Sequence, residues 1–303
     1  MLKNTGALLR LARLHFLIPG FMLYLIGYLL AINGGADFRL ETFVFGYIIF
    51  GTAQLSLSFS NDYFDRLSDE NSTKTAFSGG SKVLVEHPEL KELALRIAVL
   101  LLGFSIIGSA TFTIVYVYPL WFFIFASFGG LIGWFYTAPP LKFAYRGLGE
   151  LATILAIGFF IPGMGYFVAS GSLDNLFFVF IFPLICYGLF FILTVELPDV
   201  ESDVIAHKRN ILVNWGTEIG KRICVFANVL GTISLTTISL TGVTGKSFDP
   251  TSMAIFSVLP LIASIVGVNA HKNNIGKQII FNIISLILIL FLVDVNLLLQ
   301  FRF

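Results

Sequence analysis

The chain has 303 residues, of which 56% are hydrophobic and only 12% charged, with a formal net charge of +1. A mean hydropathy of +0.88 excludes an ordinary soluble domain and predicts a polytopic membrane protein. No basic stripe points to nucleic acid, and Cys186 and Cys224 lie in apolar runs without metal-ligand spacing, which makes them free buried thiols.

A membrane span needs about 20 largely apolar residues. In chain order that rule predicts nine helices, at about 13–33, 42–62, 93–117, 119–137, 148–170, 175–198, 222–244, 250–270 and 276–300. The first run is too long for a signal-peptide core and lacks a small-residue cleavage site, so it counts as a span. Pro19, Pro162, Pro183 and Pro260 need not end their runs, because neighbouring helices re-satisfy freed backbone groups and a kink results.

Sixteen of the 19 Lys and Arg residues fall at the N-terminus or after even-numbered spans, leaving Arg39, Lys246 and Arg302 on the other side. By the positive-inside rule the N-terminus is cytoplasmic. The long connections, 66–92, 138–147 and 199–221, share that side, where function is expected. The expectation is an all-α bundle of nine transmembrane helices forming one domain over 1–303. Acidic motifs after spans 2 and 6 give a faint echo of two four-helix halves plus a ninth helix.

Span 2 runs out into Asn61, Asp62, Asp65 and Asp69. Read as helix, Asn61, Asp65 and Asp69 stand at i, i+4, i+8, and Asp62 joins the same face three residues before Asp65. Stacked carboxylates repel one another unless a cation lies between them. Magnesium suits them, since it takes oxygen ligands and shares its shell with substrate phosphates. A single run of this kind also fits a solvated helix end. Span 6, however, ends the same way, in Glu196, Asp199, Glu201 and Asp203, with Asp199 and Asp203 at i, i+4. Two such ends suggest facing metal-diphosphate clamps.

The loops supply cations. Ala76-Phe77-Ser78-Gly79-Gly80-Ser81-Lys82 offers a Gly pair whose N–H groups, with Lys82, suit a phosphate, although a plain turn has the same composition. Tyr136-Thr137-Ala138-Pro139-Pro140-Leu141-Lys142, followed by Tyr145-Arg146, reads alone as an interfacial anchor. His207-Lys208-Arg209 either neutralises diphosphate or simply obeys the positive-inside rule.

Taken together these residues resemble the UbiA superfamily of intramembrane prenyltransferases. The N-D-x-x-D-x-x-x-D signature is complete in Asn61, Asp62, Asp65 and Asp69, and D-x-x-x-D in Asp199 and Asp203. Tyr136 through Lys142 matches the Y-x-x-P-P-x-K turn, and Lys208-Arg209 the basic pair after the second motif. Glu196 departs from the Asn that many relatives carry there.

The resemblance implies a nine-helix bundle whose central cavity opens toward the cytoplasm and laterally toward membrane lipid, in a multi-pass cell-membrane protein. It implies transfer of a polyprenyl group from its diphosphate to an acceptor, with release of pyrophosphate. Asn61, Asp62, Asp65, Asp69, Asp199 and Asp203 would hold two Mg2+ ions. Lys82, Lys142, Arg146, Lys208 and Arg209 would meet the diphosphate, and Asp65, Asp199, Lys142 and Tyr136 would act in catalysis. The Gly-Gly segment is most similar to the menaquinone-type branch, which favours an aromatic quinone precursor. Relatives that prenylate a glyceryl phosphate ether share both acidic motifs, so that acceptor stays open. An ion- or phosphate-coupled transporter is the rival from another class, but the acidic groups cluster at one end of the spans rather than at midplane.

Overall fold

The computed structural model describes residues 2–71, 79–241, 250–268 and 274–300, and contains helices but no strand among them. Lys74, Ala76, Phe77, Ser78, Lys246, Lys272 and Arg302 of the sequence reading lie outside the described residues. The helices are α1 (Leu2–Ala12), α2 (Leu17–Asn33), α3 (Leu40–Phe64), α4 (Arg66–Asn71), α5 (Val83–Glu86), α6 (Lys91–Val115), α7 (Leu120–Trp134) and α8 (Gly149–Leu155). There follow α9 (Ile161–Ser170), α10 (Asn175–Glu196), α11 (Val200–Ile205), α12 (Ile211–Trp215), α13 (Thr217–Thr241), α14 (Pro250–Val268) and α15 (Ile275–Gln300).

Among the described residues eight helical stretches are long and apolar enough to cross a membrane, and α7 is a shorter ninth. The sequence reading ran this span to Thr137. The apolar composition does continue that far, but the chain turns at Phe135 and folds back, so Tyr136 and Thr137 point toward the site rather than extend the helix.

Span 1 also begins differently from its prediction. Between α1 and α2 the chain breaks at Arg13, whose φ of 45° is left-handed. A non-glycine residue there costs about 1–2 kcal/mol, and what holds it is the pairing of Arg13 with Asp62. Span 5 is interrupted by a π-helical turn, Ala156–Phe160, between α8 and α9. Pro162 cannot donate the next helical hydrogen bond, and the widened turn absorbs the mismatch.

Lipid is as apolar as leucine, so packing rather than burial holds such helices together. At the α2–α9 crossing a Cβ on Gly27 would overlap the Pro162 carbonyl, and one on Gly165 the Tyr24 carbonyl. Glycine at both positions lets the backbones touch. Farther from the motif ends, Tyr24, Tyr28, Phe112, Phe122 and Phe167 pack into a buried aromatic layer. Their hydroxyls are satisfied locally: Tyr24 donates to the Phe43 carbonyl at 2.8 Å and Tyr28 to the Arg39 carbonyl at 3.0 Å.

Helices α3 and α10 both stop at the same end of the bundle, each followed by a short acidic helix, α4 or α11. These two short helices pack against one another. That contact brings the two acidic motifs together.

Candidate active site

The first motif is almost one continuous helix. Asp65 caps α3, donating its N–H to the Asn61 carbonyl at 2.8 Å, and Asp69 N–H reaches the Asp65 carbonyl at 2.8 Å. The second has the same local form, with Asp203 N–H donating to the Asp199 carbonyl at 2.8 Å. The i, i+4 spacing therefore holds in both, and Asn61, Asp65, Asp69, Asp199 and Asp203 line one polar chamber of about 140 Å³.

Lys208 joins the motifs. Its ammonium lies 3.0 Å from Asp65 Oδ2 and 3.5 Å from Asp203 Oδ1. Burial alone would lower the lysine pKa, yet the charges of Asp65 and Asp203 hold it above its ordinary value. Lys208 thus stays charged through neutral pH. Tyr145 donates to Asp65 Oδ1 at 2.7 Å, and Asn210 to Asp203 Oδ2 at 2.7 Å while its own Oδ1 caps α12. Thr137 donates to Asn61 Oδ1 at 2.8 Å.

Glycine strap residues cross the chamber. Gly79 N–H donates to Asp199 Oδ2 at 3.2 Å, and a Cβ on Gly80 would overlap the Asp69 carboxylate. Both have positive φ, 75° and 68°, which only glycine adopts without strain. Ser81 then bonds Asp62 through both its hydroxyl and its N–H. Asp62 is buried between Ser81 and Arg13 and does not line the chamber.

The site is short of positive charge for its carboxylates. Burial, then repulsion from Asp62 and Asp65, pushes the Asp69 carboxyl up to about 7. Burial likewise raises Asp203. Glu196 Oε2 is buried at the chamber wall without a hydrogen-bond partner among the described residues. No group of three or more His, Cys, Asp or Glu side chains among the described residues is placed to hold a metal ion as it stands. Mg2+ takes one or two carboxylates and completes its octahedron with water and phosphate oxygens. The donor set is all oxygen, and it fits.

Other expected cations lie elsewhere. Lys142, Arg146 and Arg209 are exposed and outside the chamber wall. Arg146 donates to the Pro140 carbonyl at 2.9 Å, and Lys142 lies 5.5 Å from the Tyr145 ring centre. Lys82 turns its ammonium onto the Asp69 backbone carbonyl. Tyr136 does face the chamber. In the sequence Arg13 is only a topology signal, Thr137 and Tyr145 stand within the anchor-like segment without a role of their own at the site, and Asn210 has none. Only Asn210 carried a local signal, as a helix-capping residue ahead of an apolar run.

An apolar cavity of about 350 Å³ adjoins the chamber, and Arg13, Asn61, Tyr136, Ile192 and Val195 line both. The molecule is thus an all-helical membrane bundle whose oxygen-rich chamber opens onto an apolar intramembrane cavity. Over residues 20–292 the chain matches the UbiA prenyltransferase family, and it belongs to that family. It is 22% identical over 223 residues to the 1,4-dihydroxy-2-naphthoate octaprenyltransferase of Bacillus subtilis, covering 71% of this chain and 68% of that one. It is 26% identical over 136 residues to the 2-carboxy-1,4-naphthoquinone phytyltransferase of Synechocystis, covering 45% of this chain and only 43% of the relative's length. The fold is similar to that of a UbiA homolog from Archaeoglobus fulgidus bound to GPP and Mg2+, with a TM-score of 0.62 and 18% identity over 94% of this chain and 99% of that one. At that identity the likeness shows the fold alone.

Proposed function

We propose that this protein transfers a prenyl group from its diphosphate to an aromatic quinone precursor, acting as one functional unit over 1–303 with its chamber on the cytoplasmic face. The observation that carries this reading is the junction of the two cavities, which suits a ligand with a polyanionic head and an apolar tail. The relatives named for naphthoate and naphthoquinone substrates support the acceptor class.

Asn61, Asp65, Asp69, Asp199 and Asp203, with Glu196, would hold Mg2+, which when bound supplies Lewis-acid neutralisation of the leaving diphosphate. Two ions, one at each motif, match the two acidic ends. Lys208 and Arg13 hold fixed positive charge beside the head group, and the Gly79 N–H of the strap fixes Asp199 at the chamber wall. Asp62 orients Arg13 and Ser81 from behind. Tyr145 keeps Asp65 aimed into the chamber. As the allylic C–O bond breaks, its electron pair leaves with pyrophosphate, and the cation forms next to apolar walls that exclude water. Tyr136 lines both cavities at that junction, where an aromatic ring would stabilise the cation. The acceptor carbon then forms the new bond and loses a proton.

Purified protein in lipid nanodiscs, supplied with prenyl diphosphate and Mg2+, should prenylate a hydroxynaphthoate, detected by mass spectrometry. Transfer to a glyceryl phosphate ether with the naphthoate untouched would replace the aromatic acceptor with the lipid one.

A further inference from the structure

We propose that α1 is a positioning element of the active site, with Arg10 and Glu86 as positioning residues that set the glycine strap against both acidic motifs. This rests on the metal-diphosphate reading above. It adds a contact outside the chamber that acts on Mg2+ affinity through the strap.

The strap needs support from elsewhere. Within Gly79 to Lys82 it touches both motifs: the Gly79 N–H reaches Asp199, Ser81 bonds Asp62, and the Lys82 ammonium donates to the Asp69 carbonyl. Gly79, Gly80 and Lys82 all have positive φ, and at Lys82, with φ of 63°, that conformation is disfavoured by the Cβ. The helix that follows, α5, has only four residues and is too short to hold itself. Left alone, such a segment would not keep one conformation.

Helix α1 supplies the support in two ways. Its Ala7 and Leu11 pack with Val83, Leu84 and Leu90, and both Leu11 and Val83 are completely buried. On the exposed side the Arg10 guanidinium donates to the Ser81 carbonyl at 3.4 Å and pairs with Glu86 at 2.9 Å. One side chain thus grips the strap before α5 and the last residue of α5 itself. Arg13, three residues on, pairs with Asp62, the carboxylate that Ser81 also bonds. Apolar contact is non-directional, so it fixes where α5 lies but not how the strap is turned. The arginine contacts are directional, and they set the register that aims the Gly79 N–H at Asp199. A strap out of register would also withdraw Gly80 from its close contact with the Asp69 carboxylate. Both motifs would then lose a fixed orientation, and Mg2+ would bind less tightly.

The test reads binding of a non-reactive prenyl thiolodiphosphate against Mg2+ concentration, with hydrogen exchange over residues 79–86 measured in the metal-free protein. The Arg10 and Glu86 side chains are 45% and 48% exposed, so solvent limits their pairing to about a fivefold effect on an equilibrium. Arg10→Ala and Glu86→Ala should each raise the Mg2+ half-saturation about three- to fivefold and quicken exchange over 79–86, with kcat in saturating Mg2+ unchanged. Arg10→Glu should be worse, and adding Glu86→Arg to it should recover part of the loss. Ser81→Ala loosens the strap at a buried contact to a charged group and should shift the half-saturation by about 10-fold. Exchange like wild type in Arg10→Ala, or faster exchange with the Mg2+ half-saturation unmoved, would overturn the proposal and leave α1 a packing helix. If wild type binds the thiolodiphosphate equally in chelator, while Arg10→Ala still quickens exchange and weakens that binding, the positioning stands and the metal reading falls.

Discussion

Asp65→Asn and Asp199→Asn should each lower prenyl transfer by about 10²–10³-fold, the usual loss when an electrostatic contact to developing charge is removed. Asparagine is chosen because both carboxylates also accept structural hydrogen bonds, from Tyr145 and from the Gly79 N–H. An amide oxygen retains those bonds, and at Asp65 the substitution also gives up the Lys208 ion pair on Oδ2. In the metal-free protein the carboxylate charge is a liability, since burial, with repulsion from Asp62 and Asp65, already pushes the Asp69 carboxyl up to about 7. Melting temperature without Mg2+ should therefore stay level or rise in Asp199→Asn, while Asp65→Asn, which also breaks the Lys208 ion pair, should melt lower. A structural ion-pair network forecasts the reverse, because deleting one partner strands a buried charge. Rate and melting temperature, measured on the same preparations, separate the two. A large fall in the stability of Asp199→Asn with a proportionate loss of rate would reassign the second motif to architecture.

Lys208→Met should produce the complementary pattern. Its ammonium spans Asp65 and Asp203 across the motif junction, with the lysine side chain only 16% exposed. Removing it leaves two buried carboxylates facing each other, at a cost of about 3–5 kcal/mol in the metal-free state. Because the Lys208 pKa is raised in the folded state, its stabilisation is fully present below the ordinary lysine value and is lost only as pH rises through the higher, folded one. The lysine's own titration accordingly adds no pH dependence to the deficit in the neutral range. Mg2+ should recover much of it, since an ion binding only the folded state stabilises by mass action. Turnover should fall about 10²-fold even in saturating Mg2+, with partial recovery in Lys208→Arg. Differential scanning with and without Mg2+ checks the first part. A Lys208→Met protein that melts like wild type in chelator would show that the bridge holds nothing.

The acidic motifs were legible because their order is local: residues four apart on a helix share a face whatever surrounds them. That is why Asn61, Asp65 and Asp69, and again Asp199 and Asp203, appear where the spacing puts them. The choice among basic residues was not legible. Lys142, Arg146, Lys208 and Arg209 look alike in sequence, and only the meeting of α4 with α11 draws Lys208 inward and leaves the other three exposed. Arg13 depends on a pairing 49 positions away, with a backbone turn that no apolar pattern announces. The overlong span 4 has a simpler cause. Hydropathy continues through Phe135 and Tyr136, but it cannot register a chain that turns back to hydrogen-bond Asn61 through Thr137.

Central to this account is that the two acidic ends form one magnesium-dependent diphosphate site. The direct measurement is the affinity of wild-type protein for a non-reactive prenyl thiolodiphosphate, titrated in Mg2+ and again in excess chelator, with Asp199→Asn alongside. The account predicts tight binding in Mg2+, a large loss on chelation, and a much smaller metal dependence in Asp199→Asn. Equal wild-type affinity in chelator would contradict it, leaving Lys208 and Arg13 to hold the diphosphate without metal.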